Sequence, residues 1–107
     1  MLIKPNEYPF KIGELYRVIK TYPCYDKNSF YLQPGERWEN KGRIQDDEII
    51  LVLDHKIIKE VSNIGMKRYC VLVLVNGEER TILYRQVNME HLLDLKNRFE
   101  LIKTESQ

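Results

Sequence analysis

The sequence predicts an all-β domain, and three observations carry that expectation. Residues 69–85, YCVLVLVNGEERTILYR, set β-branched and aromatic residues on both sides of Asn76-Gly77. Asn-Gly between apolar runs signals a hairpin, because both residues accept the positive φ of a type I′ turn. Pro23, Asn28, Pro34-Gly35, Asn40 and Gly42 punctuate residues 21–47 and leave no room there for a long helix. The chain also contains no alanine, the best helix former and a poor strand residue.

Residues 1–9 are expected to form an extended arm, with Pro5 and Pro9 opposing helix. Residues 10–20, FKIGELYRVIK, read as the first strand. Leu15, Arg17 and Ile19 alternate with Tyr16 and Val18, and Gly13 permits a bend or bulge. Residues 21–47 form a long first loop. Such a loop in a compact domain is functional, disordered or folded into a short hairpin of its own, and Phe30-Tyr31-Leu32 is expected to supply a brief strand.

Residues 47–55, DEIILVLDH, form the second strong strand, which can run on to Val61. Residues 56–66 connect it to the hairpin, turning near Asn63 and Gly65. A two-residue hairpin loop sets Val71 opposite Ile82 and Tyr69 opposite Tyr84, with Cys70, Leu72 and Leu74 on the other face. A four-residue loop through Glu79 shifts every pair. Both faces of the first hairpin strand are apolar, so it should be central and covered. Asn88 is placed to cap a short helix, NMEHLLDLK, with Glu90 in the first turn and Met89, Leu92 and Leu93 on one face. Residues 99–102, FELI, read as the last strand, and residues 104–107 as a mobile tail.

At 107 residues the chain is expected to be a single domain, over residues 10–103. No apolar run reaches the roughly 18 residues of a membrane span, and MLIKPNEYPF lacks the layout of a signal peptide. A cytoplasmic location follows as the expectation. Cys24 and Cys70 match no metal-ligand spacing and read as reduced thiols. No metal and no cofactor is expected. Basic and acidic residues number 17 and 16, so the overall charge attracts nucleic acid only weakly. Abundant Ile, Lys and Asn suggest an AT-rich genome, that of a low-GC bacterium or of a phage of one.

Catalytic groups are sparse. Glu90, His91 and Asp94 read as a solvated helix face, and Cys70 within an apolar strand reads as core rather than as a nucleophile served by His55 or His91. There is no phosphate-binding glycine loop, serine-nucleophile motif or zinc ligand set. The chain is therefore expected to be non-enzymatic.

Two surfaces are candidates for binding. Eight of the 11 aromatics lie between residues 8 and 38, more than a small barrel can bury. Tyr22, Tyr25, Tyr31, Arg37 and Trp38 are the candidate contacts for a protein partner, since Tyr, Trp and Arg dominate binding hot spots. A cage for a methylated cation, closed by Asp26 or Glu36, is a narrower form of that idea. Lys56, Lys59, Lys67 and Arg68, with Tyr69 nearby to stack a base, form the alternative nucleic-acid surface.

The opening KIGELYRVIK, the tight VNGEER hairpin and the short helix just before FELI resemble the layout of SH3-like small barrels, the SH3, Tudor and KOW modules. The resemblance covers residues 10–103. It implies a five-stranded barrel with a long first loop and one short helix before the last strand. The oligonucleotide-binding barrel usually carries its helix between the third and fourth strands. The resemblance also places the ligand face on the first long loop, while KOW and Tudor members include nucleic-acid binders. The ALYDY-type run of signalling SH3 domains is missing, so recognition of proline-rich ligands is not implied. The expected function is that of a small accessory or phage-encoded protein docking on a larger assembly. Oligomeric state is left open.

Overall fold

In a computed structural model, residues 9–32, 36–59, 67–85 and 89–102 are described. The expected arm, save Pro9, and the expected tail lie outside them. The described chain forms seven strands in one antiparallel sheet, with one α-helix. In chain order these are β1 (Leu15–Val18), β2 (Tyr22–Asp26), a 3-10 helix (Lys27–Tyr31), β3 (Asn40–Ile44), β4 (Ile49–Lys59), β5 (Lys67–Val75), β6 (Glu78–Arg85), α1 (Met89–Asn97) and β7 (Phe99–Leu101). Neighbours in the sheet run β3-β2-β6-β5-β4-β1-β7.

The all-β expectation holds, with seven strands in place of five. The two added strands come from residues 21–47: β2 and β3 pair with each other, and β2 also pairs with β6 at Tyr25–Thr81 and Asp26–Arg80. Pro23 is tolerated because the β2–β3 register shifts just after it. Phe30 and Tyr31 are in the 3-10 helix rather than a strand. Asp26 ends β2 and starts that helix, its carboxylate accepting from the Asn28 N–H at 2.9 Å.

The β5–β6 hairpin has the two-residue loop. Asn76 (φ 52°) and Gly77 (φ 75°) take the left-handed conformations of a type I′ turn, and Val71–Ile82 and Tyr69–Tyr84 are directly paired. The Asn76 amide donates to the Glu48 carboxylate, and Glu48 also accepts from the Gln45 N–H at 2.6 Å. The tight turn is thereby tied to the turn before β4.

Side-chain alternation divides the sheet into two faces. One carries Tyr16, Val18, Cys24, Ile44, Ile50, Val52, Tyr69, Val71, Val73, Val75, Ile82, Tyr84 and Phe99 in a single buried cluster. Ile44 lies on β3 and Phe99 on β7, the two ends of the sheet. Their membership of one cluster requires the sheet to curl, and it forms a half-barrel around this inner core. Phe10 and Leu95 of α1 fill the core from the open side. A bulge between Val52 and Asp54 supplies part of the bend in β4.

Candidate functional site

The outer face of the half-barrel holds a smaller cluster. Cys70 and Leu72 of β5 point outward and are buried with Phe30, while Trp38, Leu53 and Leu83 pack against them. The lid over these residues is the 3-10 helix and the segment carrying Trp38. Thr81 holds the lid down: its hydroxyl lies 3.0 Å from the Asp26 carbonyl oxygen, to which it donates. An outward apolar row on a central strand cannot stay wet at low cost, and residues 27–32 and 36–38 supply its cover.

The aromatic candidates divide between the two faces. Tyr25 and Trp38 meet on the outer face edge to face, ring centres 5.4 Å apart. Tyr31 stands beside Phe30 at 5.2 Å and is 63% exposed. Arg37 is exposed next to Trp38. Tyr22 is elsewhere: it packs against the inner core, 5.4 Å from Phe99, and its hydroxyl donates to the Leu83 carbonyl at 3.1 Å. Burial pushes its phenol up to about 12. Tyr25, Tyr31, Arg37 and Trp38 thus share one neighbourhood from which Tyr22 is absent.

One of the carboxylates considered for a cation cage, and one of its rings, are already engaged. Asp26 caps the 3-10 helix. The chain's own Lys56 ammonium lies 4.6 Å from the Phe30 ring centre and 5.7 Å from that of Tyr31, the geometry of a cation–π contact.

In the basic candidate surface, Lys59 and Lys67 are direct partners in the β4–β5 ladder, and Arg68 pairs with Arg85 across β5–β6. The backbone therefore brings these four residues to one end of the sheet, with Lys56 three residues before Lys59 on β4. Tyr69 is not available to stack a base. It is 1% exposed and lies parallel to Tyr84 at 4.9 Å, because the pleat points it into the inner core. No rule of composition separates a buried strand tyrosine from an exposed one, so its closeness in sequence to the basic residues was misleading.

His55 also points inward. Its Nε2 is 2.7 Å from the Tyr84 hydroxyl, and burial lowers its pKa to about 4. Cys70 points outward and pairs in register with Lys56, so the sheet itself separates this thiol from the imidazole. Cys24 is buried in the inner core, which raises its pKa. The two cysteines are not joined in a disulfide and lie on opposite faces. On α1, Asp94 pairs with Arg98 at 3.2 Å, and the side chains of Glu90 and His91 lie outside the described residues. Among the described residues no three His, Cys, Asp or Glu side chains gather as a metal site, and no helix is long and apolar enough to cross a membrane.

The sequence reading missed a second outward patch. Leu15 on β1, Leu51 on β4 and Leu74 on β5 lie in one cross-strand row, with Ile49 two residues before Leu51. Ile49 is 50% and Leu15 36% exposed, and Leu51 and Leu74 are half-buried. The signal was present in the apolar even positions of β5, which imply a covered outer face; only the structure shows that the cover ends at Leu72.

Fold and surface define a class: an all-β protein built on one curled antiparallel sheet, lidded on its outer side by an aromatic segment. No protein-family model, no curated protein and no solved structure matches the chain.

Proposed function

We propose that this protein is a non-enzymatic binding module of the SH3-like type that docks on a larger assembly through its outer face. Topology supports the class. Strands β4, β5 and β6 form a meander, β1 pairs with both β4 and β7, and α1 sits just before β7. The order β6-β5-β4-β1-β7 of those five strands is what supports the SH3-like reading. The β2–β3 hairpin and the 3-10 helix then occupy the first long loop, the ligand-bearing position of such modules.

The observation that carries the docking reading is Tyr31. A tyrosine 63% exposed beside a buried phenylalanine and under a lysine exceeds what the local packing uses. Tyrosine offers a large amphipathic contact area at a small entropic cost. Tyr25, Arg37 and Trp38 extend the surface, and His55, Cys24 and Cys70 are committed to packing. Affinity capture with wild type and with Tyr31→Ala tests this. The variant should keep its melting temperature and lose the partners that wild type retains. Identical partners at identical strength would assign the segment to structure alone.

A second reading is favoured by the ladder positions of Lys59, Lys67, Arg68 and Arg85. The backbone gathers these basic residues at one end of the sheet, and a phosphate backbone complements such a gathering. Binding to a single-stranded oligonucleotide should then weaken steeply with salt and be lost on Lys59→Glu with Arg68→Glu. Absence of binding at low salt removes this alternative.

A further inference from the structure

We infer that the outer aliphatic patch of Leu15, Ile49, Leu51 and Leu74 receives an amphipathic helix of a partner protein, with basic residues beside its apolar stripe. The inference rests on the docking reading and names the partner's element. Dimensions come first. The cross-strand row spans β1, β4 and β5, three neighbouring strands. At about 4.8 Å per strand its width is about 10 Å, the diameter of a helix. Along β4, Ile49, Leu51 and Leu53 all face outward, and two strand intervals of about 6.8 Å match roughly nine helical residues, hence an i, i+3/i+4, i+7 stripe. The patch continues through Leu53 into the cluster under Trp38, so a helix lying along β4 reaches the aromatic surface as well.

Charge selects the sign of the helix. Glu79 follows Leu74 in the same row, and Asp54 stands beyond Leu53 at the bulge. Neither carboxylate has an ion-pair partner among the described residues, and Asp54 accepts only from the backbone N–H of His55. Arg17, the cation on this face of β1, is already held by Asp47 at 2.6 Å and Glu100 at 3.3 Å. The unpaired charges directly flanking Leu15, Ile49, Leu51 and Leu74 are therefore acidic, while the cations of the aromatic surface, Lys56 over Phe30 and exposed Arg37, stand beyond Leu53. Curvature argues against a second copy as occupant, since this is the outside of the curl and two outward-bowed faces touch over little area. A single helix, about 10 Å across, needs no wider face than the three-strand row supplies.

The test uses the full chain and two synthetic helical peptides of about 16 residues, one of leucine and lysine with leucine at i, i+3, i+4 and i+7, the other with glutamate for every lysine. The Leu/Lys peptide should gain helicity in circular dichroism and shift the amide resonances of Leu15, Ile49, Leu51 and Leu74. Ile49→Asp, half-exposed in the free protein and so expected to fold, should weaken binding by at least about tenfold. Shifts centred elsewhere, equal binding of the Leu/Glu peptide, or unchanged affinity of Ile49→Asp would overturn the inference. So would a wild-type dimer in sedimentation that Ile49→Asp dissociates. Retention of partners by Tyr31→Ala defeats the docking reading. Loss of partners by Tyr31→Ala, with no peptide-induced shifts at the aliphatic patch, defeats the helix alone.

Discussion

Lowering the pH from 7 to 4 should destabilise the fold through His55. The ring lies against Tyr69 and Tyr84, each 5.9 Å away between centres, with the Tyr84 hydroxyl at its Nε2. Burial lowers the pKa from 6.5 to about 4, opposed by the nearby Asp54 carboxylate. Above pH 6.5 both folded and unfolded chains hold the ring neutral, and its contribution is complete. Between 6.5 and about 4 the unfolded chain takes up a proton that the folded chain refuses, so stability falls with pH; below about 4 both are charged and the loss levels off. At about 1.4 kcal/mol per pKa unit the full loss is about 3.4 kcal/mol, and partial solvation of the ring reduces it to about 2 kcal/mol. A loss of about 2 kcal/mol lowers the melting temperature by roughly 10 °C for a domain of this size. Urea unfolding of wild type and His55→Gln at pH 4 to 8, followed by circular dichroism, separates this effect from carboxylate titration common to both. The wild-type curve should fall more steeply between pH 6.5 and 4. Equal slopes for the two proteins would refute the burial of a neutral imidazole.

Two other outcomes follow from the packing. Gly77→Ala forces a side chain into a φ of 75°, and should lower the urea midpoint by the equivalent of about 1–2 kcal/mol with an unchanged m-value; a neutral substitution would mean that the turn is not type I′. Cys24 and Cys70 are both buried, so a thiol reagent should react slowly with the native chain and rapidly with both residues in denaturant. Fast native reaction of either would contradict its placement.

The β5–β6 hairpin was legible because turn chemistry and strand alternation agree there: Asn76-Gly77 specifies the turn, and the turn specifies Val71–Ile82 and Tyr69–Tyr84. The short helix and last strand were legible for similar local reasons, but Leu93, expected on the apolar face, is 55% exposed, and Leu95 is the leucine that packs in the core. The β2–β3 hairpin was not. Tyr22–Asp26 contains a proline, and Asn40–Ile44 has one buried residue in five, so neither shows an apolar alternation. Their pairing depends on distant contacts such as Tyr25–Thr81. The binding surface was half legible. Crowding of aromatics before residue 39 pointed to residues 25–38, but that Tyr22 faces the inner core and Tyr25 the outer face follows only once these residues are known to be a strand, with Cys24 inward between them. The patch at Leu15, Ile49, Leu51 and Leu74 was hidden because alternation reports that a residue is apolar and not whether anything covers it.

The outer face as docking surface is tested most directly by hydrogen–deuterium exchange on the full chain with and without a captured partner. Added protection is expected in Leu15–Val18, in Ile49–Leu53 and across residues 25–31 and 36–38, with the inner-core amides unchanged. Protection confined to α1 and β7, or to the basic end of the β4–β5 ladder, would contradict it.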